Sequence, residues 1–203
     1  MTDAETLASP LDPLGITVAE LLDTVAETTT RPGSGSAAAL VVALAASIAG
    51  AAARASRAEW RDAEGVIAQA DALGERAREL ARENADAYQR ARFALERTRA
   101  MPDLRVAELP EVLSRSVDVL LRIGETAVDV AELSRAIAAR ASGDVRPDAA
   151  AASGLAAGAA DAAASLVRAN LVVTPEDEIA LRAKRLASSA ADAARAAARE
   201  AER

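Results

Sequence analysis

The spacing of apolar and polar positions predicts one helix after another along this chain. In TVAELLDTVAE, Val18, Leu21, Leu22 and Val25 fall on one helical face, and Thr17 with Glu20 forms a capping box. TTTRPGS interrupts the pattern, and a second helix is expected over about 36–57. A long third helix, about 59–99, has Val66, Leu73, Leu80 and Tyr88 loosely in phase, and AMPDL reads as a turn. A fourth begins near Pro110, a residue favoured in a first helical turn, and runs to about Arg140. ASGDVRPD reads as a loop, with Asp148 as N-cap of a fifth helix. Thr174 as N-cap, Pro175 behind it and acids in the first turn open a last helix to the C-terminus.

No run alternates Val, Ile and Thr with polar residues as a strand would. The expected fold is all-α: a single bundle of about six helices, residues 17–203, after a flexible lead-in over 1–16. Composition sharpens this. Of the 203 residues 51% are hydrophobic, yet Trp60, Tyr88 and Phe93 are the only aromatics. Such a core buries area through close backbone approach, which places the small-residue helices two and five at the centre. From Ser34 to Ala53 helix two carries no charge. It reads as a central bundle helix or as a membrane anchor near the lower limit of spanning length. The weak hydrophobicity of Ala and the isolation of the segment favour the bundle.

Charge and missing residue types narrow the chemistry. There is no cysteine and no histidine, which removes thiolate nucleophiles, Ser-His catalysis and the common zinc sites, so no metal is expected. The single lysine, Lys184, lies on an Ala-rich C-terminal helix and reads as solvated. The remaining tools are carboxylates, hydroxyls, Asn, Arg and backbone dipoles. A net charge of −7 argues against nucleic acid. MTDAETLASP has neither the basic nor the apolar region of a signal peptide, so a cytoplasmic protein without membrane contact is expected.

The candidate site is Arg31-Pro32-Gly33-Ser34-Gly35-Ser36, directly before helix two. Backbone N–H groups at a helix start can hold an anion or a carbonyl, and Gly33 and Gly35 permit positive φ or close ligand approach. A plain helix–helix turn with a Ser cap fits the same residues, and the lysine of a P-loop is missing.

This turn, running on into SAAAL and a small-residue helix, resembles the Pro-Gly-Gly-Gly-Ser motif of the cyclodeaminase/cyclohydrolase family. That family comprises the C-terminal domain of formiminotransferase-cyclodeaminase and stand-alone methenyltetrahydrofolate cyclohydrolases. ENADAYQRA (83–91) is similar to the family's acidic stretch before an aromatic residue. VRPDAAAASGLAAGAA (145–160) is similar to its Asp-Ala opening of a small-residue helix. SLVRANL (165–171) is similar to its Asn-x-Arg-x-Asn-Leu ending, with Leu166 at the first Asn. The resemblance covers about residues 17–200 and implies an all-helical homodimer with a tetrahydrofolate derivative as its small-molecule substrate. The implied reactions are hydrolysis of 5,10-methenyltetrahydrofolate to 10-formyltetrahydrofolate and deamination of 5-formiminotetrahydrofolate.

A methenyl carbon is already electrophilic, so a positioned water and a carboxylate acting as base and acid suffice. Asp148 and then Asp86 are the catalytic candidates; their plain readings are an N-cap and a solvated helix face. Arg31, Arg146 and Arg168 suit folate carboxylates, and Pro32, Gly33, Ser34, Gly35, Ser36, Asn84 and Asn170 complete the expected substrate-binding set. Arg168 and Asn170 also suit the plain role of satisfying a helix's last carbonyls. Several positions depart from the family. Asn84 stands where an Asp is common, Glu59-Trp60 replaces a basic-aromatic pair, Leu120 replaces a Pro, and SGDVR replaces an Asn-rich lead to Asp148. These departures keep a second function class in view: a non-catalytic, dimeric helical binding or regulatory protein on the same fold.

Overall fold

The computed structural model describes residues 12–26, 33–100, 109–170 and 177–203. Six helices make up the described chain: α1 (Val18–Ala26), α2 (Ser34–Ala55), α3 (Ala63–Ala100), α4 (Leu109–Ala138), α5 (Arg146–Asn170) and α6 (Glu178–Ala201). Among the described residues there is no strand, so the protein is an all-α bundle.

Neighbouring helices alternate in direction. Along α2 and α3, Ser36 meets Ala81, a Cβ on Gly74 would touch Ala46, and Arg54 pairs with Asp71 at 2.5 Å, so the two run antiparallel. Glu83–Arg122 and Arg76–Asp129 do the same for α3 and α4. The Ser153 hydroxyl donates to the Ala131 carbonyl, and Gly124 faces Ala163, which sets α5 antiparallel to α4. Arg182 of α6 pairs with Glu125 of α4, and Leu186 packs over Gly124. One end of the bundle thus gathers the start of α2, the middle of α3 near Asn84 and the end of α5. The opposite end gathers the end of α2, the start of α3, the end of α4 and the start of α5. There the Ser142 N–H donates to Ser56 Oγ at 3.0 Å.

The core follows from the composition. Ala39, Val42, Ala45, Ala46 and Ala49 of α2 are buried against Ala77 and Leu80 of α3, Ile123 and Val130 of α4, and Ala152, Ala156 and Ala160 of α5. Alanine-on-alanine contacts bring helix axes close, so even backbone-thin surfaces exclude water. Both α2 and α5 are long and apolar enough to cross a membrane, but 61% of the α2 stretch and 44% of the α5 stretch are buried inside the bundle.

Several boundaries differ from the sequence expectation, each for a local reason. The capping box of α1 is formed: Thr17 N–H donates to Glu20 Oε2 at 2.7 Å and Glu20 N–H to Thr17 Oγ1 at 3.2 Å. Its apolar stripe, however, is uncovered. No residue of α1 is buried, and Val18 and Leu22 are 74% and 65% exposed. α3 begins at Ala63 rather than near Glu59, because Trp60 is buried in the turn and the Ser56 hydroxyl closes on the Ala52 carbonyl. α5 begins at Arg146, so Asp148 lies inside the first turn and is not the N-cap. α6 is capped by Asp177, whose side chain accepts from Ile179 N–H at 2.9 Å. Thr174 and Pro175, expected to open that helix, lie outside the described residues.

Candidate functional site

The start of α2 is built by what packs beneath it. Gly33 occupies the N-cap position with extended backbone, φ −68° and ψ 171°, and no side chain caps the first turn. Among the described residues no side chain accepts from the first N–H groups of the helix, which carry the positive end of its dipole. Neither Gly33 nor Gly35 adopts positive φ. Glycine is required here for space. A Cβ on Gly33 would lie 3.1 Å from the Tyr88 ring, and one on Gly35 would lie 2.5 Å from Asn84 Oδ1.

Asn84 and Tyr88 are one turn apart on α3 and so share the face that α2 crosses. Asn84 is buried, as is Ser36. The Ser36 hydroxyl donates to the Ala81 carbonyl at 2.9 Å and sits 3.3 Å from Asn84 Oδ1. A hydroxyl has one proton, and the shorter bond to Ala81 takes it. The contact with Asn84 is then best met with the amide turned, Nδ2 donating to Ser36 Oγ and Oδ1 facing the turn, an orientation that such networks decide. Either way Asn84 offers hydrogen bonds and no titratable proton.

Arg168 and Asn170, in the last turn of α5, belong to the same end of the bundle. Arg168 is exposed, and its guanidinium donates to Ser165 Oγ at 3.1 Å. Ser34 contacts a groove between α2 and α5 that also includes Val41, Gly154, Leu155, Gly158 and Ala162, with a volume of about 720 Å³ and an almost wholly apolar wall.

The catalytic candidates are placed differently. Asp86 lies two residues past Asn84, about 200° around the helix, and pairs with Arg90 at 3.0 Å. It does not face the turn. Asp148 and Arg146 lie at the opposite end, with about 30 Å of α2 between them and Gly33. Arg146 donates to the Ala141 carbonyl at 2.9 Å, closing the α4–α5 connection. Asp148 is exposed, where it complements the helix dipole. The single chain therefore unites Gly33, Ser34, Gly35, Ser36, Asn84, Arg168 and Asn170 at one end and leaves both candidate catalytic carboxylates away from the turn. Arg31 and Pro32 lie outside the described residues.

One pair at the level of the turn was missed in the sequence. Glu83 of α3 and Arg122 of α4 pair at 2.5 Å, half buried, with Glu83 and the nearby Asp118 and Glu125 holding Arg122 above its ordinary pKa. Its place beside Asn84 in ENADAYQRA was the available signal. No group of three or more potential metal ligands occurs among the described residues.

A glycine-led helix start over a buried Ser36–Asn84 pair thus stands at the head of an alanine-rich, all-α helical domain. The chain belongs to the formiminotransferase-cyclodeaminase family, whose model matches residues 17–189. In fold it is similar to the formiminotetrahydrofolate cyclodeaminase of Thermotoga maritima, with a TM-score of 0.78 at 17% identity, covering 92% of this chain and 96% of that one. Among curated proteins none matches.

Proposed function

We propose that the protein binds a tetrahydrofolate derivative at the start of α2 and hydrolyses 5,10-methenyltetrahydrofolate to 10-formyltetrahydrofolate. The observation that carries this is the uncapped α2 N-terminus lying on a buried, non-titrating Asn84. Its first N–H groups suit the pterin carbonyl or a glutamate carboxylate, and Arg168 suits the other acidic end of the ligand. The reading includes a cytoplasmic homodimer without nucleic-acid or membrane partners.

The chemistry separates the two family reactions. In hydrolysis, water adds to the methenyl carbon and loses one proton, which discharges the cation; the bond from that carbon to N5 then breaks as the remaining hydroxyl proton passes to N5 and the formyl C=O forms on N10. The net reaction releases one proton. In deamination, N10 closes on the formimino carbon and ammonia departs, so a proton must be placed on the leaving nitrogen. A neutral amide can orient a water but cannot supply that proton. Asn84 in a position where the family commonly carries Asp therefore favours hydrolysis.

The same Asn84 favours a second reading, a folate-binding protein of this fold without turnover, because Asp86 turns away from the site. Loss of methenyl absorbance in the presence of purified protein separates the two. Acceleration over buffer that falls in Arg168→Ala, with no ammonia from the formimino compound, supports hydrolysis. A thermal shift by folates without acceleration supports binding alone, and neither effect would overturn both readings.

A further inference from the structure

We infer that the last turns of α3 form the specificity wall of the site: the Tyr88 ring stacks on the ligand's aryl ring, and Arg92 takes a carboxylate of the glutamate joined to it. This wall rests on the folate reading above and gives that site its tail-binding side.

The bundle has a step at this end. Gly33 lies against the Tyr88 ring, so α2 starts at the level of Tyr88. α5 ends close to the same level. The Ser153–Ala131 bond and the Gly124–Ala163 contact set Asn170 about level with Ser116 of α4, and the Glu83–Arg122 pair sets Ser116 about level with Gln89. α3 continues past this level from Gln89 to Ala100, about 18 Å of helix, with the first turns of α4 beside it. The start of α2 and the end of α5 are the floor of the step, and α3 is its wall. Asn84, Tyr88 and Arg92 follow one another at one-turn intervals on a single stripe that climbs from floor to wall.

Three features of the stripe point to a ligand. Of the three aromatic residues in the chain, Tyr88 alone is exposed, at 37%. Trp60 is buried, and the Arg97 guanidinium lies over the half-buried Phe93 ring. The one open ring is therefore also the ring held against the helix start. Asn84, only 3% exposed, meets Ser36 with one end of its amide, and the other end has no partner among the described residues and lies beneath Gly35. A buried amide with an unmatched end in the floor suits a ring that presents its own donors and acceptors. Arg92 donates from Nε to Glu96 at 2.9 Å, and Glu96 first and Tyr88 after it hold the guanidinium above its ordinary pKa. It is a held cation beside the phenol, and a guanidinium fork matches a carboxylate.

The order of groups fits a folate laid along the stripe. Its pterin meets the α2 N–H groups and the Asn84 amide, which chooses the pterin carbonyl over a carboxylate as their ligand. Its aryl ring and its glutamate are joined directly by an amide, as Tyr88 and Arg92 stand one turn, about 6 Å, apart. The glutamate has two carboxylates, so one on Arg92 leaves the second for Arg168.

The test uses 5-formyltetrahydrofolate, which has no methenyl bridge to hydrolyse, and its glutamate diamide, which keeps the aryl ring and loses both charges. Calorimetry is expected to show the parent favouring the acid. Arg92→Met should weaken the acid about ten-fold while the diamide keeps its parent Kd. Tyr88 is the only tyrosine, so in ring-labelled protein its resonances report stacking directly, and both ligands should shift them. Equal weakening of acid and diamide in Arg92→Met, no weakening of either, or a Tyr88 ring unmoved by bound ligand would overturn the wall and leave the folate reading standing. Absence of binding by both ligands would overturn wall and folate reading together. Arg92-dependent preference for the acid without methenyl turnover would count against hydrolysis only.

Discussion

Asn84 occupies the volume that a side chain on Gly35 would need: a Cβ built there would lie 2.5 Å from Asn84 Oδ1 and 2.7 Å from its Cγ. Both are buried, and the Ser36–Ala81 bond holds the two helices together immediately beside them. The amide cannot swing away without opening the α2–α3 contact. Gly35→Ala is therefore expected to cost about 1–3 kcal/mol, measured by denaturant unfolding, although Gly to Ala inside a helix ordinarily stabilises. Gly65→Ala, on an open face of α3, is the control and should gain about 0.5–1 kcal/mol. Adding Asn84→Ala to Gly35→Ala should recover most of the loss, a coupling that a purely local backbone effect would not show.

Asn84→Asp places a carboxylate beneath the open N-terminus of α2. The helix dipole and the Ser36 hydroxyl favour its ionised form. It also restores a proton-carrying group at the position where the family commonly has one. If folate chemistry occurs at this turn, the variant should accelerate methenyl hydrolysis by about ten-fold or more, the usual lower range for a positioned base being 10²-fold. It should also gain measurable ammonia release from the formimino compound. An unchanged rate with intact folate binding would place the reaction elsewhere.

Ser134 is fully buried on α4, and its hydroxyl has no hydrogen-bond partner, the one such side-chain atom among the described residues. Buried without a partner, the oxygen gives up water and receives nothing in return. Ser134→Ala should stabilise the protein by about 1 kcal/mol, seen as a rise in Tm of roughly 2–4 °C. A fall in Tm would mean that the hydroxyl meets a bound water or ligand.

Much of the fold could be read from the residues because its signals are local. Thr17 with Glu20 and the charge-free run of α2 each depend on neighbours in sequence and appear as expected, although α2 begins at Ser34, so that Ser34, Gly35 and Ser36 form its first turn rather than a break before it. Of the two reasons read for Gly33 and Gly35, positive φ does not apply. Their backbones are ordinary, and what forbids a side chain is Asn84 and Tyr88, some fifty residues away. Distance along the bundle was likewise hidden. Motif order places Asp148 between Asn84 and Arg168, but alternating helix directions send it to the far end. The exposed stripe of α1 teaches the same lesson, since an amphipathic pattern states that a face will be covered and not by which chain.

The anchoring of α1 should depend on pH. Glu20 lies below its ordinary pKa chiefly because it accepts from Thr17 N–H, and Asp12 lies below its own because of Leu14 N–H, with Arg82 also lowering it. The Asp12–Arg82 pair, at 3.2 Å, ties the segment before α1 to α3. A carboxylate depressed in the folded state stabilises it above the ordinary carboxylate range, and that contribution is lost as pH falls through the folded pKa. Acid should therefore release residues 12–26 while the alanine core, which carries no such carboxylate at its centre, persists. Amide resonances of Glu20 and Leu21 should shift toward random-coil positions below about pH 4, the usual range for these acids, with those of Ala39 and Ala46 unmoved. Both groups moving together would mean that α1 is held by packing rather than by these two carboxylates, as it would be if a second copy buried Val18 and Leu22.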